Sequence, residues 1–244
     1  MASLRDDGTL EGFAAAMAAL YRAWPQQSAE QRRQDLQAAV GAAASAVQKP
    51  GWPLLCRTLG SGRVGQLRCD KSNWSLETDN AFLEGTSDAG DTWLDIVSAI
   101  YHEMRHGEQW YLCAQGVLAG QLPAPFGAQP ADPAKGFTEA ELSAAMGLPE
   151  AVTRNAAQRA QQFPHDLLTV TRSWHDSIFG APARPKGGFL ETIKHGGLAG
   201  DHLHLPEEQD AWELQRRVRA RIKALLGTSL RNPAYAALRG MFGG

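Results

Sequence analysis

Five consecutive positions, His102-Glu103-Met104-Arg105-His106, combine the residue types of a metal site with those of a base. Histidines four apart fall one turn apart on one face of an α-helix, where both rings reach a single ion. Zinc takes neutral imidazole nitrogen at about 2.0–2.1 Å. Glu103, on the same side, is placed to take a proton from a water activated there. The chemistry to which this spacing points is zinc-dependent hydrolysis with Glu103 as general base.

A third ligand must come from elsewhere, because Glu108 points to nearly the opposite face from the histidines. In metzincins the motif continues with Gly and His at fixed places, but Gln109 and Leu112 occupy them here, which excludes that class. With Pro206-Glu207-Glu208-Gln209-Asp210-Ala211 entering a later helix, the chain resembles zincin metallopeptidases of the glutamate type, in which a second helix supplies a Glu, commonly with Ala three residues on. The resemblance implies His102, His106 and Glu208 as zinc ligands, and Ala211 as the small residue that lets two helices approach. Helical phase keeps Glu207 open as the ligand, since it aligns better with Ala211, Leu214, Val218 and Ile222; a histidine is the remaining alternative.

Many glutamate zincins place an Asp four residues after that ligand, and Trp212 stands there. The acceptor that orients a ligand histidine is then Asp176, Asp201, Asp210 or a backbone carbonyl. The wider patterns Tyr101 to Trp110 and Leu205 to Trp212 also look like zincin domains of bacterial secreted effectors and polymorphic toxins. That likeness implies a peptide or protein substrate, export by a specialised secretion system, and a secretion-system component or immunity protein as partner.

Other residues carry weaker signals. Of His195, His202 and His204, the last lies just before the ligand turn and is the candidate to stabilise a tetrahedral oxyanion, set against an exposed loop histidine. His175 with Asp176 is either a pair that orients a ligand or a dyad on a helix surface. Tyr101 and Tyr111 are expected to pack, and Trp110 and Trp212 to meet in the core if the two metal helices cross. The basic run Arg216 to Lys223 reads as a solvated face with no nucleic-acid role, because no aromatics interleave with it. Gly187-Gly188 and Gly196-Gly197 read as loop hinges.

The elements that must position these residues follow from periodicity. Asp91 to about Leu118 is expected as one helix, capped by Asp91 or Thr92, with Trp93, Ile96, Val97, Ile100 and Met104 as its apolar stripe. Pro206 to about Gly227 is a second, acidic at its start and basic in its latter half, as the helix dipole prefers. Arg63 to Cys69 and Asn73 to Thr78 alternate apolar and polar residues and read as two strands joined at Asp70-Lys71-Ser72. Asn80 to Gly90 is expected as a polar loop, and Gly120 to Gly136, with four prolines, as a long surface connection. Leu10 to Trp24 and Ser28 to about Gln48 read as an antiparallel helix pair, the second opened by a Ser28/Gln31 capping box. Thr138 with Glu141 caps a short helix to Gly147. Further helices run from Pro149 to about Phe163 and from Pro164 to Phe179.

The expected fold is α+β and mainly helical, zincin-like, with a small sheet beside the motif helix. Residues 1–50 form a helical pair and 51–244 the catalytic domain. With 244 residues, 43% hydrophobic content and a net charge of −2, the chain can bury a sizeable core and has no global charge to recruit nucleic acid or acidic lipid. No segment approaches the roughly eighteen uninterrupted apolar residues of a membrane span. The N-terminus is acidic and polar where a signal peptide is basic and then apolar, so synthesis in the cytoplasm without one is expected. Cys56, Cys69 and Cys113 match neither a zinc knuckle nor a redox pair, though Cys56 and Cys69 are open to pairing under oxidising conditions. The alternative to an enzyme is a helical module whose zinc merely holds two helices together for binding.

Overall fold

The computed structural model describes residues 2–59, 65–84, 91–180 and 204–227. Among them the fold is mainly helical with one small sheet. The helices are α1 (Asp7–Ala23), α2 (Ala29–Ala46), α3 (Asn80–Glu84), α4 (Asp91–Leu118), α5 (Glu139–Met146), α6 (Glu150–Gln158), α7 (Leu168–Phe179) and α8 (Pro206–Leu226). The strands are β1 (Leu54–Arg57), β2 (Gly65–Asp70) and β3 (Asn73–Asp79), ordered β1-β3-β2. His195, His202, Asp201, Gly187-Gly188, Gly196-Gly197 and residues 85–90 lie outside the described residues.

The chain forms two compact units, and α4 and α8 each run through both. One comprises Ala2–Arg68, Ser75–Arg105 and Glu213–Gly244. Its helix pair forms as the capping signals require: the Ser28 hydroxyl accepts from Gln31 N while the Gln31 side chain returns to Ser28 N. Pro25 ends α1 in a short 3-10 turn, Trp24–Gln26. Aromatic rings fill the core of this unit, with Phe13 4.7 Å from Tyr101, Tyr21 4.9 Å from Trp93 and Trp24 4.8 Å from Phe82 between centroids. Arg32 joins them, its guanidinium over the Trp24 ring and donating to the carbonyls of Trp24 and Leu83.

The sheet departs from the two expected strands. β1, a short run after Pro53 with no alternation to mark it, pairs parallel to β3 with Leu54 opposite Leu76 and Cys56 opposite Thr78. β3 is therefore central and buried along most of its length, and β2 is an edge. The two-residue connection Lys71-Ser72 makes β2 and β3 antiparallel. Because β3 lies between the strands that carry Cys56 and Cys69, the pairing left open for those thiols fails; both are free. The segment after β3 also differs from a plain loop, since Asn80–Glu84 makes a short helix that buries Phe82 and Leu83.

The other unit comprises Cys69–Trp74 and His106–Trp212. Thr138 and Glu141 form the expected reciprocal cap, and Gly147 closes α5 at φ +70°. The helix expected from Pro149 to Phe163 ends at Gln158 and continues only as a 3-10 turn, Ala160–Gln162. Gly116 on α4 is closely packed: a Cβ there would lie 2.6 Å from Leu122 Cδ1 and 3.1 Å from Phe163 Cε2, so those side chains would have to shift. The connection through residues 120–136 thus packs against the helix at this point.

α4 is more deeply buried than an amphipathic stripe implies. Besides the expected apolar residues, Tyr101, Arg105, Glu108, Gln109 and Gln115 are buried. Between Ile100 and Val117 only Glu103 and Trp110 reach solvent in part. No helix among the described residues is long and apolar enough to cross a membrane.

Candidate metal centre

Helix α4 alone places His102 and His106 one turn apart, and the first turn of α8 supplies a carboxylate. The ligating atoms of His102, His106 and Glu208 all lie within 4.8 Å of one another, and all three residues are buried. His106 Nε2 is 3.4 Å from Glu208 Oε1. Two ligands on a tetrahedral zinc, each at about 2.0–2.1 Å, sit about 3.3–3.4 Å apart, so this pair already has the span of one edge of the tetrahedron. Two neutral imidazoles and one carboxylate also match zinc chemically, and the donor set fits the ion. Among the described residues no further His, Cys, Asp or Glu joins the group.

Glu207 is buried and, as its phase indicates, shares the inward face of α8 with Ala211, Leu214, Val218 and Ile222. Its neighbour Glu208, about 100° around the helix, is the carboxylate that meets the histidines. Glu207 contributes its carbonyl instead, which accepts from Gln109 Nε2 at 2.9 Å. The same amide nitrogen donates to Asp210 Oδ2 at 2.9 Å, while Gln109 Oε1 lies 2.9 Å from His106 Nδ1.

Glu103 does not enter the three-residue group. Leu67 on the edge strand β2 donates its backbone N–H to Glu103 Oε2 at 2.7 Å, which fixes one carboxylate oxygen. Glu103 is one of the two residues of this helical stretch that solvent reaches in part. Such an arrangement can hold a carboxylate in a set orientation beside a cation and let it exchange a proton.

The remaining candidates divide. His204 is exposed in a short turn before α8 and lies outside the group. His175 is buried, contrary to a helix-surface dyad, with its Nδ1 3.5 Å from a largely exposed Asp176. Burial holds its imidazole below the ordinary value, and Asp176 and the Pro123 carbonyl offset part of that shift. Tyr101 and Tyr111 pack, their hydroxyls donating to Leu4 O and Asn155 Oδ1 at 2.8 Å. Burial also pushes the Tyr111 phenol up to about 12.

Trp212 is not core: it is 37% exposed, because it falls 100° around α8 from the buried Ala211 row. Trp110 is half-buried and stacks edge-on against Phe179 at 5.0 Å. The basic run is not simply solvated either. Arg217 pairs with Asp7, Arg219 with Asp95 and Arg221 with Glu11, at 2.7–2.9 Å.

Residue reading alone missed two contributors. Gln109 drew notice only as a departure from another motif, although its position three residues after His106 marks it as a neighbour on the helix. The Leu67 amide has no signature in sequence, because any residue supplies that N–H. No family model, curated protein or solved structure matches the chain.

Proposed function

We propose that the chain is a zinc-dependent metallopeptidase, a hydrolase of the glutamate zincin type, with His102, His106 and Glu208 holding the ion and Glu103 as base. The observation that carries this reading is the buried three-residue group, with His106 and Glu208 spaced at 3.4 Å and a partly open Glu103 on the same helix turn. When bound, zinc supplies a Lewis acid that makes water acidic enough to lose a proton near neutrality and polarises a peptide carbonyl. Glu103, fixed through Oε2 by the Leu67 amide, accepts that proton on its other oxygen and returns it to the departing amine. Three protein ligands leave one position of a tetrahedron for water or substrate, as catalytic sites do and closed structural sites do not. The likeness to effector and toxin zincins supports a secreted bacterial protein acting on peptide or protein, with a secretion-system component or immunity protein as partner. His204 has no support from the site as the group that steadies the oxyanion.

The test compares wild type with Glu103→Gln. Both are expected to purify with about one zinc per chain by mass spectrometry of the metal, and peptide-library cleavage is expected to fall by about 10²–10⁴-fold in the variant. Full cleavage by Glu103→Gln would sink the mechanism.

A second reading, a zinc-stabilised helical interaction module, draws on the near-complete burial of all three ligands. It predicts stoichiometric zinc in wild type with no cleavage of any library peptide.

A further inference from the structure

We infer that Gln109 is a positioning residue that locks the His106 ring as the Nδ1–H tautomer and thereby aims the Nε2 lone pair at Glu208. Its bearing on zinc rests on the metal-centre reading above, whereas the tautomer follows from the contacts of Gln109 alone.

Gln109 is fully buried, and its amide has one end that only donates and one that only accepts. Which end faces which neighbour is decided by the Glu207 carbonyl, an obligate acceptor 2.9 Å away. The atom facing it must be the NH2 group, whose second hydrogen reaches Asp210 Oδ2, also at 2.9 Å. The amide oxygen is then the atom 2.9 Å from His106 Nδ1. An oxygen with no hydrogen cannot donate, so Nδ1 must carry the proton. In the neutral ring Nε2 is left with its lone pair, and it is Nε2 that lies 3.4 Å from Glu208 Oε1.

A backbone carbonyl of the ligand helix thus sets the protonation pattern of a histidine on the motif helix, with one glutamine as the link. Turning the amide over would set oxygen against the Glu207 carbonyl and Asp210 and leave His106 facing two hydrogens. Buried mispairing of this kind leaves donors and acceptors unsatisfied away from water, so one arrangement dominates. The same contacts hold the first turn of α8, and with it Glu208, in register with His106.

Long-range proton–nitrogen NMR of the full chain reads the tautomer, at about pH 8, well above the ordinary imidazole range. Spectra of metal-free and zinc-loaded wild type and Gln109→Met are compared, with circular dichroism confirming the fold of each. The expected result is a protonated Nδ1 on His106 in wild type without metal. Folded Gln109→Met is expected to release the preference and to bind zinc about 10–100-fold more weakly by calorimetric titration.

A metal-free wild-type ring protonated on Nε2 and not on Nδ1 overturns the inference. So does a folded Gln109→Met with unchanged tautomer and zinc affinity. The expected tautomer in a wild-type chain that takes up no zinc upholds the lock while refuting the metal centre.

Discussion

The first turn of α8 and its second half both meet other elements through polar side chains, on opposite physical terms. In the first turn Glu207, Glu208 and Asp210 are nearly inaccessible to solvent, and their partners are a glutamine amide and imidazole rings. In the second half Arg217, Arg219 and Arg221 pair with Asp7, Asp95 and Glu11 on partly exposed side chains. Surface pairs are screened and worth little, while three buried carboxylates carry a desolvation cost that geometry or a cation must offset. One helix thus carries screened ion pairs along its exposed part and desolvated carboxylates at its buried end.

That contrast is breakable. Glu208→Ala has the largest expected effect at the buried end. Metal content after gel filtration should fall to background, a loss greater than the roughly 10–100-fold expected for an orienting residue. Retention of zinc by that variant would place the third ligand elsewhere. Between the two regions, Leu214→Ala, at 1% exposure, should cost about 2–5 kcal/mol in denaturant unfolding by opening a cavity. A cost near zero would mean that the ion pairs carry the docking.

Buried His175 supplies a titratable comparison. Its pKa is lowered in the folded chain from an ordinary value of 6.5, so the unfolded chain binds the proton more readily. The stability that comes from keeping this ring neutral is fully present above 6.5 and is lost as pH falls from there through the lowered folded value. Melting temperatures across that interval should drop more steeply in wild type than in His175→Gln, and parallel curves would contradict the assignment. The smallest effect is expected from Arg221→Ala, about 0.2–1 kcal/mol and diminished in high salt. A larger, salt-independent loss would erase the distinction between the two ends of α8.

Local signals specify much of this molecule. Capping boxes at Ser28 and Thr138, Pro25 after α1 and the period of residues 91–118 are short-range determinants, and the corresponding elements form where those rules place them. The strand β1 escaped such a reading because four residues without alternation acquire their state only by pairing with β3. Trp212 departs from its expected core position for a related reason: hydrophobicity says that a side chain favours burial, whereas helix phase and the neighbours decide whether burial is on offer.

The candidate site divides along the same line. His102, Glu103 and His106 are legible because helical spacing is a property of adjacent residues, and the same holds for an acidic start to α8. Sequence by itself therefore determined the histidine pair, Glu103 beside it and the helices that carry them. Tertiary structure alone decided which of two adjacent glutamates meets the rings, brought the Leu67 amide to Glu103, and set Gln109 between His106 and the Glu207 carbonyl. These depend on distances between segments about 36 to 102 residues apart, and such distances arise only when the packed chain closes those separations against their entropy.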